Sequence, residues 1–550
     1  MQDTTLTARA RAWLAEDPDP DTRAELGALI EAGDEAALAG RFSGTLQFGT
    51  AGLRGELGAG PMRMNRAVVI RAAAGLAGYL RARGQGDGLV VIGYDARYKS
   101  ADFARDTAAV MTGAGLRAAL LPRPLPTPVL AFAIRHLGAV AGVEVTASHN
   151  PPRDNGYKVY LGDGSQIVPP ADAEIAAEIA AVRSLDDVPR PESGWEVLDD
   201  SVLDAYLART DAVLTPGSPR TARTVYTAMH GVGKDVVLAA FARAGFPAPV
   251  LVAEQAEPDP AFPTVAFPNP EEPGAMDLAF ATAREAEPDL VIANDPDADR
   301  CAVAVRDRSD DGDGTGWRML RGDEVGALLA AHLAERGVAG TFAESIVSSS
   351  LLGRIARKAG VGHEETLTGF KWIARVDGLR YGYEEALGYC VDPDGVRDKD
   401  GVTAALLVTE LASVLKERGR TLVDLLDDLA VEHGLHATDQ LSVRVSDLGV
   451  IAGAMARLRK SPPASLAGLP VALAEDLSEG TETLPPTDGL RYTLDGARVI
   501  VRPSGTEPKL KCYLEVVVPV ASRDALPGAR ETAAELLAAL KRDFAEAAGL

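Results

Sequence analysis

Leu89-Val90-Val91-Ile92-Gly93-Tyr94 is a near-continuous apolar run that closes on Asp95-Ala96-Arg97. A strand covered on both faces shows no polar alternation, so this run reads as a buried strand. An amphipathic helical pattern follows over about 101–114, and Ala118-Ala119-Leu120-Leu121 reads as a second short strand. Upstream, a helix is expected over about 66–83. Apolar strands alternating with helices predict an α/β layer with parallel or mixed strands.

The pattern then restarts. Thr224–Ala228 reads as a strand, about 232–244 as a helix, and Val250–Val252 and Leu290–Ala293 as strands. The polar run Arg308–Gly314 reads as a solvated turn. Helices are expected over about 322–336 and 349–359. Past residue 438 the pattern changes: Leu441–Val445, Ala497–Arg502 and Lys511–Val520 read as strands and about 529–547 as a helix, an α+β unit. Residues 1–40 read as helices interrupted at Asp17-Pro18-Asp19-Pro20, and Leu46–Gly55 as a strand entering a glycine-rich turn. A chain of 550 residues is too long for one core. The expected domains are 1–216, 217–320, 321–437 and 438–550, with linkers near 215–218, 319–322 and 435–438.

The net charge is −23, which argues against nucleic acid and anionic membrane as partners. A phosphorylated ligand needs a local basic pocket against that field. Hydrophobic content of 46% and charged content of 25% are ordinary for a soluble protein. Cys301, Cys390 and Cys512 are scattered and form no Cys-x-x-Cys pair, so neither a disulfide framework nor a zinc site is expected. The N-terminus is rich in Asp, Glu and Arg and shows no apolar h-region, so no signal peptide is expected, and no apolar stretch approaches the ~20 residues of a membrane span. A cytoplasmic protein is expected.

Three loops carry chemistry. Thr146-Ala147-Ser148-His149-Asn150-Pro151 sets a serine on a bend that the proline keeps from becoming helix, with its hydroxyl expected to face outward. Asp295-Pro296-Asp297-Ala298-Asp299-Arg300 spaces three carboxylates at i, i+2 and i+4, which face one way in an extended loop. Such oxygens suit a hard divalent cation, Mg²⁺ above others. An EF-hand is excluded, because its glycine and glutamate positions hold Arg300 and Arg306. Arg300 adjoins the cation and can hold a phosphate or sugar oxygen. Arg502-Pro503-Ser504-Gly505-Thr506-Glu507-Pro508-Lys509 combines cations, hydroxyls and a glycine in the manner of an anion site. It lacks the order of a nucleotide P-loop. Each loop also has a plain structural reading, as a capped bend, an acidic turn or a strand-to-helix turn. Together, nucleophile, metal site and phosphate clamp point to phosphoryl transfer. His230 reads as a structural hydrogen-bonder.

These loops in this order resemble the α-D-phosphohexomutase superfamily of phosphoglucomutases, phosphomannomutases and relatives, over about Gly49 to Lys509. The resemblance implies four domains around a central cleft, three of them α/β and the C-terminal one α+β. It implies that Ser148 carries the phosphoryl group, that Asp295, Asp297 and Asp299 bind Mg²⁺, and that Lys158 and Arg54 support proton transfer and charge stabilisation. The Arg502–Thr506 loop, with Lys509, matches the clamp for the substrate's distal phosphate. Glu384, in Gly382-Tyr383-Glu384-Glu385-Ala386-Leu387-Gly388, matches the carboxylate that accepts from two sugar hydroxyls. Thr368, Gly369 and Lys371 match a second sugar-facing loop, and Lys399 a basic residue facing the reacting hydroxyl. A serine often stands where this chain has Ala386. That variant resembles the branch that includes phosphopentomutases.

The implied reaction moves phosphate between C1 and C6 of an aldohexose, glucose or mannose, through a bisphosphorylated sugar that also serves as activator. The partner is a small sugar phosphate, and the protein a monomer or homodimer. The alternatives are a phosphopentomutase acting between ribose 1-phosphate and 5-phosphate, and a sugar phosphatase.

Overall fold

The computed structural model describes residues 6–47, 52–306, 316–445, 448–504 and 509–550. The expected turn at 308–314, and the centre of the glycine-rich turn at 48–51, lie outside them. The chain forms two compact units: Met1–Met319 with Gly388–Glu410, and Leu320–Leu387 with Leu411–Leu550.

In the first unit, helices Leu6–Glu16, Pro20–Ala32 and Glu35–Phe42 precede a six-stranded sheet. Its order is Leu53–Glu56, Asp154–Leu161, Ala141–Val145, Leu89–Tyr94, Arg117–Leu120, Glu196–Val197. The expected strand Leu89–Tyr94 lies inside the sheet, parallel to neighbours on both sides. Helix Arg66–Ala82 starts at Asn65, whose side chain accepts from the Val68 N–H at 2.9 Å. Val69, Ile70, Ala73, Leu76, Ala77 and Leu80 repeat at helical spacing and are all buried. Burying each Val, Ile or Leu contributes about 1.5–3 kcal/mol. A second sheet runs Trp317–Met319, Ala302–Arg306, Leu290–Ala293, Thr224–Thr227, Val250–Leu251.

In the second unit, Gly362–Thr366, Thr341–Ser345 and Leu379–Glu384 form a parallel layer. Helices Gly322–Glu335 and Leu351–Ala359 pack on it. The last sheet is antiparallel, in the order Leu435–Arg444, Lys509–Val518, Ala497–Pro503, Leu490–Leu494, Leu469–Asp476, Ser465–Leu466. Helix Leu526–Ala548 buries Leu537, Leu540 and Phe544 against its core. Three α/β layers and an α+β layer match the expected fold class.

One expectation changes and three elements are new. The linker expected at 435–438 is the start of strand Leu435–Arg444, which pairs along its whole length with Lys509–Val518. Strand Asp154–Leu161 and helix Gly401–Glu417 had no counterpart in the sequence reading. Helix Thr127–His136 was likewise unforeseen, and Pro128 stands in its first turn.

Candidate active site

The serine loop follows strand Ala141–Val145. Thr146 and Asp95, both buried, begin a relay: the Thr146 hydroxyl donates to Asp95 Oδ2 at 2.6 Å and accepts the Ser148 N–H at 2.9 Å. Ser148 is held at φ 52, a left-handed conformation uncommon outside glycine. Arg97 locks the bend. Its Nη2 donates to the carbonyls of Ser148 at 2.5 Å and Asn150 at 2.7 Å, and its Nη1 to those of Pro151 at 2.8 Å and Asp154 at 3.2 Å. The Phe262 ring packs 4.8 Å from the guanidinium. The Ser148 hydroxyl does not face outward. It is 2% exposed and donates to Asp295 Oδ2 at 2.6 Å. His149 Nδ1 lies 3.2 Å from the same hydroxyl. Burial, then Arg300 and Arg54, pushes the His149 imidazole well below its ordinary range.

The acidic loop is a turn rather than an extended segment. The Ala298 N–H donates to the Asp295 carbonyl at 2.8 Å and Ala298 has φ 54. Gly231 makes room for it: a Cβ there would meet Pro296 Cα at 2.2 Å. The turn brings one oxygen each of Asp295, Asp297 and Asp299 within 4.8 Å of one another, all buried. Lys158 Nζ donates to Asp297 Oδ2 at 2.7 Å and Asp299 Oδ2 at 2.9 Å. Burial opposes its charge, but those carboxylates outweigh burial and hold the ammonium above its ordinary range. Lys399 Nζ lies 3.3 Å from Asp299 Oδ2 and 3.2 Å from Asp398 Oδ1. Thr127 donates to Asp297 Oδ2 at 2.7 Å. Arg54 Nη1 donates to Asn150 Oδ1 at 3.1 Å, and burial lowers its guanidinium. Arg300 Nε lies 3.8 Å from both Asp295 Oδ2 and Asp299 Oδ1.

Asp297 Oδ1 and Asp299 Oδ1 are buried with no hydrogen-bond partner. An unsatisfied buried oxygen of this kind costs about 1–3 kcal/mol or more. A divalent cation held by Asp295, Asp297 and Asp299 would satisfy such oxygens, and an all-carboxylate set suits a hard one.

In the second unit, the Gly369 N–H donates to Glu384 Oε1 at 2.7 Å, joining the two expected sugar loops. Gly369 has φ 115, which favours glycine. Thr368 Oγ1 is buried without a hydrogen-bond partner, and Lys371 Nζ sits 5.8 Å from the Trp372 ring centroid. Arg502 is the penultimate residue of strand Ala497–Pro503, opposite Lys511, and the Ser504 N–H donates to the Lys509 carbonyl at 2.8 Å. Gly505 and Thr506 lie outside the described residues.

The sequence matches all four domain families described as phosphoglucomutase/phosphomannomutase. Alpha/beta/alpha domain I covers residues 45–186, domain II 204–312, domain III 321–432, and the C-terminal domain 450–525. The chain belongs to the phosphoglucomutase/phosphomannomutase family. It is 51% identical to a probable phosphomannomutase of Haemophilus influenzae, over 82% of this chain and 93% of that protein. It is 35% identical to the phosphopentomutase of Mus musculus, over 95% of this chain and 92% of the relative. A phosphoglucomutase/phosphomannomutase family protein of Burkholderia thailandensis shares the fold, with a TM-score of 0.69 at 19% identity, over 91% of this chain and 97% of that one.

The chain is thus a phosphosugar mutase, an intramolecular phosphotransferase. Several residues that hold the serine loop and the aspartate turn in place were missed from sequence. Arg97 and Asp95 had been read only as the end of a strand, and Thr127 was not singled out. Their signal, a charged or hydroxyl residue closing an apolar run, is weak without partners 50 to 170 residues away. Among the described residues no helix is long and apolar enough to cross a membrane.

Proposed function

We propose that the mutase interconverts 1-phospho and 6-phospho aldohexoses, mannose and glucose first, with Ser148 as the phosphoryl carrier. One observation carries the assignment: the Ser148 hydroxyl, locked on a left-handed bend, lies 2.6 Å from one of three clustered carboxylates. The 51% identity to a probable phosphomannomutase supports the hexose preference. In this reading the working domains are 1–216, 217–320, 321–434 and 435–550, the last boundary moved from 437/438 to the start of strand Leu435–Arg444.

A Mg²⁺ ion held by Asp295, Asp297 and Asp299 would neutralise charge on the transferring group. The chain's own residues do the rest. The sugar hydroxyl attacks the phosphorus of phosphorylated Ser148. A P–O bond to the sugar forms as the bond to Ser148 Oγ breaks, and the serine oxygen keeps that electron pair. The bisphosphorylated sugar turns around and returns its other phosphate to Ser148, so the same sugar also restores the phosphorylated enzyme. Lys158 and Lys399 both touch Asp299 and supply positive charge there. Lys158 or Lys399 gives an ammonium proton to the departing Ser148 Oγ and, so freed, takes the proton of the attacking hydroxyl, which leaves the lysine charged again. Arg54 and Arg300 hold phosphate oxygens, and Thr368, Gly369, Lys371 and Glu384 hold the sugar hydroxyls. Arg502, Ser504, Gly505, Thr506 and Lys509 clamp the distal phosphate.

A pentose reading has its own support in Ala386 and in the phosphopentomutase relative. Parallel kcat/KM values for mannose 1-phosphate, glucose 1-phosphate and ribose 1-phosphate decide between them. Intact mass after treatment with glucose 1,6-bisphosphate tests the carrier: one added phosphate, mapped to Ser148, is expected. Its absence overturns the assignment.

A further inference from the structure

Glu384 is followed by a second carboxylate. Two adjacent carboxylates in a site for an anionic ligand repel each other and the ligand, so Glu385 needs a compensating role. Its Oε2 lies 3.2 Å from Ser345 Oγ and 3.3 Å from Ser348 Oγ, and those hydroxyls are 2.9 Å apart. The Glu385 N–H donates to Ser348 Oγ at 3.1 Å. The Ser348 oxygen therefore accepts from the backbone, which leaves its proton for the carboxylate or for Ser345. The Ser348 carbonyl in turn accepts from Arg498 Nη2 at 2.5 Å. The backbone here has no slack: a Cβ at Gly322 would fall 1.8 Å from the Glu385 carbonyl oxygen. Leu387, fully buried, closes the turn at φ 65, a conformation a bulky residue holds only when its surroundings impose it. Burial first, then Glu384 and Asp323, pushes the Glu385 carboxyl up to about 7.

We propose that Glu385 is a positioning residue for sugar recognition: through Ser345 and Ser348 it fixes the turn that keeps the Glu384 carboxylate on the Gly369 N–H. The inference rests on the reading of Glu384 as the sugar-binding carboxylate. It adds a carboxyl that never touches the sugar but sets where its neighbour stands.

The test compares E384A, E385A, E385Q and S348A by KM and kcat for mannose 1-phosphate, with Tm measured alongside. E384A is expected to raise KM about tenfold or more, from the loss of charge-assisted hydrogen bonds. E385A is expected to raise KM about tenfold with a smaller change in kcat, and S348A about threefold. E385Q keeps an oxygen that accepts from both hydroxyls, and is expected within about twofold of wild type. If E384A raises KM while E385A leaves it unchanged, the positioning role is overturned and the sugar reading stands. If E384A itself leaves KM unchanged, the sugar reading fails and this inference with it. A lower Tm and lower kcat at wild-type KM in E385A marks a purely structural carboxyl and also overturns the proposal, as does E385Q behaving like E385A. Should E385A not fold, S348A decides: a wild-type KM there sinks the proposal.

Discussion

Ser148 donates its hydroxyl to Asp295 at 2.6 Å across 147 residues of sequence. This bond joins the serine loop of one sheet to the acidic turn of the next. It puts the expected phosphoryl carrier against the carboxylate cluster before any substrate arrives. Ser148→Ala is expected to cut mutase turnover by about a thousandfold or more and to leave no phosphoenzyme by mass. It should leave the melting profile close to wild type, because the Arg97 bonds to the loop all go to backbone carbonyls. Wild-type turnover in the purified variant removes the carrier role.

Arg97 makes the second prediction. Its planar fork reaches four carbonyls of one bend, a pattern a lysine ammonium cannot reproduce. Arg97→Lys keeps the charge next to Asp95 but loses the fork. A shift of about 1 Å at a reacting atom can cost about a hundredfold, and kcat/KM is expected to fall by ten- to a hundredfold. Steady-state kinetics at several sugar concentrations reads this directly. A variant within twofold of wild type shows that the bend holds itself.

Much of the fold was legible because apolar runs announce buried strands, as Leu89–Tyr94 and Leu290–Ala293 do. Asp154–Leu161 escaped for a physical reason. That strand is buried through its middle, yet it carries Lys158 and Asn155, whose Nδ2 reaches the Tyr98 carbonyl and the Ser100 hydroxyl more than 50 residues back. Lys158 finds its carboxylates 139 and 141 residues on. A strand whose inward face serves an ionic site loses the hydrophobic pattern that would reveal it. The acidic loop shows the converse. Its three aspartates were legible as a group, but their convergence comes from a turn at Ala298 that spacing alone does not encode.

Metal dependence follows from the two orphaned oxygens on Asp297 and Asp299. EDTA is expected to abolish turnover and Mg²⁺ to restore it. Mg²⁺ is also expected to raise Tm by mass action on the folded state, independently of activity. Asp297→Asn weakens the charge at the cluster and should shift the Mg²⁺ titration to higher concentration by tenfold or more. A Tm that ignores Mg²⁺ in the wild-type protein counts against the site.

Glu515, in strand Lys509–Val518, gives a pH test in the second unit. Burial alone would raise its carboxyl, but Arg498 Nη2 at 3.1 Å, His436 Nδ1 at 3.1 Å and the Ser349 hydroxyl at 2.6 Å outweigh burial. They hold it at about 2, against 4.5 for a free glutamate. A folded value below the unfolded one means the unfolded chain binds the proton more readily as pH falls. The stabilisation is therefore complete above pH 4.5 and is lost between about 4.5 and about 2. At about 1.4 kcal/mol per unit it amounts to roughly 3 kcal/mol, of which roughly 2 kcal/mol disappears between pH 6 and pH 3. Glu515→Gln removes the titrating group. Urea unfolding at both pH values should show wild type losing more stability than the variant by that amount. Parallel losses in the two proteins show that acid acts through other carboxylates.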